Sequence, residues 1–118
     1  MRTISVNLEA IASNYKTLKS LTSAKVMAIV KADAFGHGII EVSKKLESIG
    51  VDMLATADLE EAQEIRAAGI KSPILAWLHG SETDFAAAIK NDIQIGISTV
   101  AGLEAVGVSA RQVSGTAK

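Results

Sequence analysis

Apolar residues fall along this chain in two alternating rhythms. Short continuous runs form the first: Val26-Met27-Ala28-Ile29-Val30, Val51 to Ala57 around Met53-Leu54, Pro73-Ile74-Leu75-Ala76-Trp77-Leu78, and Ile93-Gln94-Ile95-Gly96-Ile97. Runs apolar throughout, rather than at every second residue, predict parallel strands buried on both faces. Between the runs the spacing becomes helical. Ile39, Val42, Leu46 and Ile49 mark one helix, with Gly50 where a left-handed residue would close it. Asp58 and Glu61 form a capping box around Leu59, Ala62 and Ile65, and Gly69 ends that helix. Ser81 with Asp84 predicts a helix start before Phe85, Ala88 and Ile89. Ser98 predicts another before Leu103 and Val106, closed by Gly107. Leu8, Ile11, Tyr15 and Leu18 stripe an N-terminal helix, preceded by a short strand at Ile4-Ser5-Val6.

Strands alternating with helices of about ten residues imply βαβ units, hence an α/β fold with a parallel sheet. A dinucleotide-binding sheet would place G-x-G-x-x-G after its first strand. The turn here reads Lys31-Ala32-Asp33-Ala34-Phe35-Gly36-His37-Gly38, a different pattern. The spacing suits successive units of a barrel equally well. A complete (β/α)8 barrel takes about 250 residues, so four units make about half of one. Periodicity leaves an open sheet and a half barrel as equals.

Composition narrows the function classes. A length of 118 residues fits one domain, and 48% hydrophobic residues is too many for disorder. The balance of 12 Lys+Arg against 13 Asp+Glu, without a basic cluster, argues against nucleic acid. Absent cysteines exclude disulfides and thiolate metal sites, and two isolated histidines argue against any metal site. No run approaches the about 18 apolar residues of a membrane span, and no signal-peptide pattern opens the chain. A cytoplasmic protein is the expectation.

Lys31 stands apart. It ends the first run on the same strand face as Met27 and Ile29. If that face points inward, the amine projects from the strand's carboxyl end, where barrel and open-sheet sites are built. Such an amine can form an imine with an aldehyde cofactor or a carbonyl substrate. The other reading is a lysine that marks the strand's end and snorkels to water. Position alone leaves both open.

The residues that follow carry more. Val30-Lys31-Ala32-Asp33-Ala34-Phe35-Gly36-His37-Gly38 closely resembles the cofactor-lysine signature of alanine racemases, pyridoxal-phosphate enzymes with an N-terminal barrel and a C-terminal β domain. Ile4 to Asn14 is similar to that family's opening segment. Ala55 to Ala62 with Ile65-Arg66 resembles its second βα unit, and Gly69 to Leu75 its approach to the third strand. The resemblance implies that residues 1–118 are the first four βα units of a TIM-type (β/α)8 barrel, its N-terminal half. It also implies truncation at the C-terminal end, with the β domain absent.

By the same resemblance, Lys31 anchors pyridoxal 5'-phosphate and serves as the base on one face of the amino acid. The second base would be a tyrosine from the partner subunit of a homodimer. Tyr15 does not match that tyrosine, because it occupies a core-type position on the first helix. Phe35 stands where the family usually has a tyrosine whose hydroxyl reaches the cofactor phosphate. Trp77 matches a position that lines the cofactor pocket. Gly36 and Gly38 read as loop-shaping, Asp33 as a turn former, His37 as structural and His79 as a solvated loop residue. Glu60, Glu61 and Glu64 read as a solvated helix face.

The implied reaction is interconversion of L- and D-alanine for cell-wall precursor supply. Racemases of serine, lysine or arginine are alternatives, as is a non-catalytic fragment that at most captures pyridoxal phosphate on Lys31. An isolated half barrel would expose its first and fourth strands as edges, so association and inactivity are expected of the chain alone.

Overall fold

The four apolar runs become four short parallel strands in a computed structural model that describes all 118 residues. They are β1 (Met27–Ile29), β2 (Met53–Thr56), β3 (Ile74–Ala76) and β4 (Ile93–Ile95). The strands lie side by side in chain order, each parallel to its neighbours. A doubly wound sheet reverses its strand order at a switch point. This sheet never does, and of the two architectures the barrel is the one that fits.

Register sorts the strand residues into rows. One row runs Ala28–Leu54–Ile74–Ile93 and the next Ile29–Ala55–Leu75–Gln94. In the first, Leu54, Ile74 and Ile93 are buried beneath the helices. Burying each such side chain is worth about 1.5–3 kcal/mol. In the second row Ile29 keeps 53% of its surface exposed, and Met27 on the same side of β1 keeps 39%. The expected burial on both faces therefore fails at β1, while Ala55 in the same row is fully buried and Leu75 half-buried.

The covering helices are α1 (Leu8–Ser20), α3 (Ile39–Ser48), α4 (Leu59–Ala67), α5 (Phe85–Lys90) and α6 (Val100–Gln112). A six-residue helical segment, α2 (Lys31–Gly36), follows β1 directly. Gly50 and Gly69 take left-handed φ of 78° and 84° after α3 and α4, as their positions predict. Three expectations need correction. No strand forms at Ile4–Val6. Helix α6 is capped by Thr99, which accepts from Gly102 N–H at 3.0 Å, and not by Ser98. Gly107 lies inside α6, because the chain turns left-handed only at Ser114 (φ 50°), where Gly115 N–H reaches back to the Ala110 carbonyl.

Polar side chains tie the amino ends of the strands together. The Asp52 carboxylate, ahead of β2, accepts from Val26 N–H, ahead of β1, at 2.7 Å and from Lys19 Nζ at 2.5 Å. The Tyr15 hydroxyl accepts from Asp52 N–H at 3.1 Å, which fixes α1 to the same point. Glu47 at the end of α3 accepts from Lys71 N–H, Ser72 N–H and the Ser72 hydroxyl, just ahead of β3. Arg66 donates to the carbonyls of Ile70, Ser72, Asn91 and Asp92, linking the approaches to β3 and β4.

These contacts shift two acids. The Lys19 ammonium first, then Val26 N–H, hold Asp52 below the usual 3.8. Burial alone would raise Glu47, but its donors on Ser72 and Lys71 outweigh that and hold it below 4.5. A carboxyl lowered by folding stabilises the fold above its unfolded value and stops doing so as pH falls through its folded value. Urea unfolding is therefore expected to give constant stability near about pH 6–7 and a progressive loss below about pH 4.5. Glu47→Gln should lower stability at neutral pH and flatten that acid-side slope.

Candidate active site

The site begins where β1 runs out. Val30 N–H still bonds the Ala55 carbonyl at 2.9 Å, and Lys31 comes next. Continuing the register two places past Ile29–Ala55–Leu75–Gln94 sets Lys31 level with Ala57, Trp77 and Gly96. Trp77 N–H to the Ala57 carbonyl (3.3 Å) and Gly96 N–H to the Ala76 carbonyl (2.8 Å) extend the ladder to that level. Lys31 thus comes level with Trp77, about 10 Å away across the end of β2 at usual strand spacing, although β1 has already left the extended conformation at Val30 (φ −117°, ψ 15°). Ala57 between them is small. At Gly96 a Cβ would stand 2.9 Å from Trp77 Cβ, so β4 passes this close to Trp77 only because the residue is glycine.

Lys31 is half-buried and belongs to none of the chain's ion pairs, which are Lys19–Asp52, Lys45–Glu9 and Lys118–Asp92. Its Nζ lies 5.9 Å from the centroid of the Phe35 ring. A cation at that distance over an aromatic face is weakly attracted to it. The ring itself is 81% exposed. Of the three residues the sequence singles out, Lys31 and Phe35 meet and Trp77 stands across the same row.

What joins Lys31 to Phe35 is unusual. Ala32, Asp33, Ala34 and Phe35 have φ of 55°, 52°, 51° and 56°, a left-handed helical turn without glycine. Each such residue costs roughly 1–2 kcal/mol, so the surroundings must impose the shape. Within the turn, Ala34 N–H bonds the Val30 carbonyl (2.9 Å) and Gly38 N–H the Asp33 carbonyl (3.1 Å). Asp33 Oδ1 accepts from Ile39 N–H at 2.7 Å, capping α3 and confirming Asp33 as a turn former. Gly36 (φ 78°) and, after the right-handed His37, Gly38 (φ 90°) take positive φ as loop-shaping residues.

Glu61 supplies a contact that the sequence reading missed. Glu60 and Glu64 are exposed, but Glu61 is half-buried. Its Oε1 accepts from Ala32 N–H at 2.6 Å and Asp33 N–H at 3.4 Å, and its Oε2 from Ala57 N–H at 3.3 Å. The one available signal was the capping box. Asp58 Oδ1 does accept from Glu61 N–H at 2.9 Å, but the Glu61 carboxylate turns to the end of β1 instead of back to its own cap.

The histidines divide. His37 Nδ1 lies 2.8 Å from the Ala34 carbonyl on the exposed side of the turn, a structural role. His79 is not solvated as expected. It is half-buried, stacked edge-on against Phe85 at 5.2 Å, with Nε2 3.1 Å from the Ala76 carbonyl. A carbonyl only accepts, so Nε2 carries the proton and Nδ1 faces the interior unpartnered. With Trp77, Thr99 and Gly102 it lines a cavity of about 270 Å³ beyond β3 and β4. A more open apolar groove follows β1 on the other side, lined by Ile11, Leu18, Met27 and Phe35.

Residues 6–118 match the family described as alanine racemase, N-terminal domain. The chain is 43% identical over 113 residues to an alanine racemase of Mycolicibacterium smegmatis, covering 95% of this chain and 29% of that protein. It superimposes on the alanine racemase of the D-cycloserine producer Streptomyces lavendulae with a TM-score of 0.94 and 32% identity, over 99% of this chain and 32% of that one. The Streptomyces coelicolor A3(2) alanine racemase gives 0.92 and 30% identity, over 96% and 31%. The chain therefore spans under a third of the length of the relatives it matches.

The strain in the turn can be measured. Ala32 is exposed and left-handed, so Ala32→Gly removes roughly 1–2 kcal/mol of strain against about 0.5–1 kcal/mol of added freedom in the unfolded chain. Urea unfolding should show Ala32→Gly more stable by about 0.5–1 kcal/mol. Ala32→Val, β-branched at positive φ, should be less stable than the parent.

Proposed function

This chain belongs to the alanine racemase N-terminal domain family, and we propose on that footing that it carries the cofactor lysine of a pyridoxal 5'-phosphate-dependent racemase. The reaction is interconversion of L- and D-alanine, serving the supply of cell-wall precursors in a homodimeric enzyme. The observation that carries this reading is the unpaired, half-buried amine of Lys31 at the carboxyl end of β1, inside the Val30–Gly38 string. That is where barrel enzymes build their sites.

The residues present fit the cofactor. An amine free of ion pairs is what an aldehyde requires, and the sheet face on which it stands is open. Lys31 would hold the group covalently, Phe35 would lie beside the attachment point, and Trp77 would wall the row across Ala57. Pyridoxal phosphate, when bound, supplies the electron sink that lets an amino acid's α-carbon lose its proton. Lys31 Nζ, free once the substrate's own amine has taken its place, would take and return that proton on one face of the substrate. The opposite face needs a second base. Tyr15 is committed to Asp52 at the amino end of the sheet, so that base comes from outside these residues.

Incubation with pyridoxal phosphate, borohydride reduction and peptide mapping should place the label on Lys31 and lose it in Lys31→Ala. In a chimera joined to the remainder of the Mycolicibacterium smegmatis enzyme, Lys31→Ala should abolish racemisation in a coupled D-alanine assay. Activity persisting above a small percentage would overturn the assignment. Phe35→Tyr introduces the hydroxyl that by resemblance to the family would reach the cofactor phosphate, and it should tighten cofactor binding by one charge-assisted hydrogen bond, about 1.5–3 kcal/mol at most. A cofactor titration reads the change, and equal or weaker affinity would count against Phe35 as a neighbour of the phosphate.

A further inference from the structure

We propose that Glu61 is the positioning residue of the Lys31 site: its carboxylate holds the left-handed turn that aims the lysine and ties it to the end of β2. The proposal rests on the reading of Lys31 as the cofactor amine.

The turn has little reason to form by itself. Of Ala32, Asp33, Ala34 and Phe35, only aspartate tolerates positive φ readily. The N–H groups of Ala34, His37 and Gly38 bond to carbonyls within or just before the turn, while those of Ala32 and Asp33, the first two, go to Glu61. Successive N–H groups where the backbone turns left-handed form a concavity suited to an anion. Glu61 Oε1 fills it, at 2.6 Å from Ala32 N and 3.4 Å from Asp33 N. Its second oxygen accepts from Ala57 N–H at 3.3 Å. One carboxylate therefore fixes Ala32, the residue that follows Lys31, and Ala57, the residue just past β2 at the level of Lys31. The carboxylate in turn is placed by α4, whose cap Asp58 holds Glu61 N–H.

Charge and reach both matter. A glutamine keeps the length and one accepting oxygen, but its NH₂ faces an N–H it cannot accept from. Alanine leaves all three N–H groups without this partner. Nor are the nest's N–H groups free for a cofactor phosphate, since the protein's own carboxylate already occupies them.

The test uses the full 118-residue chain with two readouts. Amide hydrogen exchange follows Ala32 and Ala57, and pyridoxal phosphate with borohydride gives the ratio of label on Lys31 to label on exposed Lys71. In Glu61→Ala, Ala32 should exchange at least tenfold faster, and the Lys31 to Lys71 ratio should fall severalfold. Glu61→Gln is isosteric and keeps the fold if the alanine variant does not. It should leave Ala32 near its parent rate, expose Ala57 to faster exchange and give an intermediate ratio. Unchanged Ala32 protection in Glu61→Ala would overturn the hold. Faster Ala32 exchange with an unchanged labelling ratio would overturn the positioning role. A parent chain that labels Lys31 no better than Lys71 would remove the cofactor reading itself, and that failure appears before any Glu61 variant is compared.

Discussion

A slip of one residue in β3 would turn Trp77 from the open side of the sheet to the side beneath the helices, and one in β1 would move Lys31 off the level it shares with Trp77, because side chains alternate along a strand. Everything at the site depends on the register Ala28–Leu54–Ile74–Ile93. Strands of three or four residues cannot hold it with main-chain bonds alone. Two things enforce it. Leu54 and Ile74 have no exposed surface in their row, so a slip would take them out from beneath the helices and put Ala55 or Leu75 in a space shaped for another side chain. At the amino ends, Asp52, Glu47 and Arg66 grip main-chain groups at fixed positions ahead of neighbouring strands.

The two ends of the sheet do opposite work. At the amino end the charged side chains are saturated with partners: the Arg66 guanidinium meets four carbonyls and the Glu47 carboxylate three donors. At the carboxyl end the backbone is strained through Ala32–Phe35 and the Lys31 amine has no ionic partner. Stability concentrated at one end permits strain at the other, a distribution common to barrel enzymes.

Much of this was legible in the residues. Continuous apolar runs, helical stripes, the Asp58 cap and the glycines after α3 and α4 are local signals, and each appears where it was expected. Lys31 was singled out by two-residue alternation at the end of an apolar run, while Trp77 and the Val30–Gly38 string were singled out by their resemblance to the family. The left-handed turn was not legible. Alanine and phenylalanine carry no preference for positive φ, and the group that imposes it lies 29 residues away in Glu61. For the same reason Glu61 looked like one more charge on a wet helix face. Gly107 misled in the other direction, because a glycine ends a helix only where the chain turns left-handed, and here that residue is Ser114.

The open face joins stability to chemistry. Met27, Ile29 and Leu75 stand on the same side as Lys31, the first two substantially exposed and Leu75 half-buried. Covering three such side chains is worth roughly 1.5–3 kcal/mol each, comparable in sum to the net stability of a domain. In a closed barrel the strands opposite would supply that cover. The same closure would exclude water from around the Lys31 amine, strengthening every electrostatic interaction there. The apolar residues and the amine thus point the same way, since a surface that a closed barrel would bury is one that it would also keep dry around Nζ, as the proposed role of Lys31 requires.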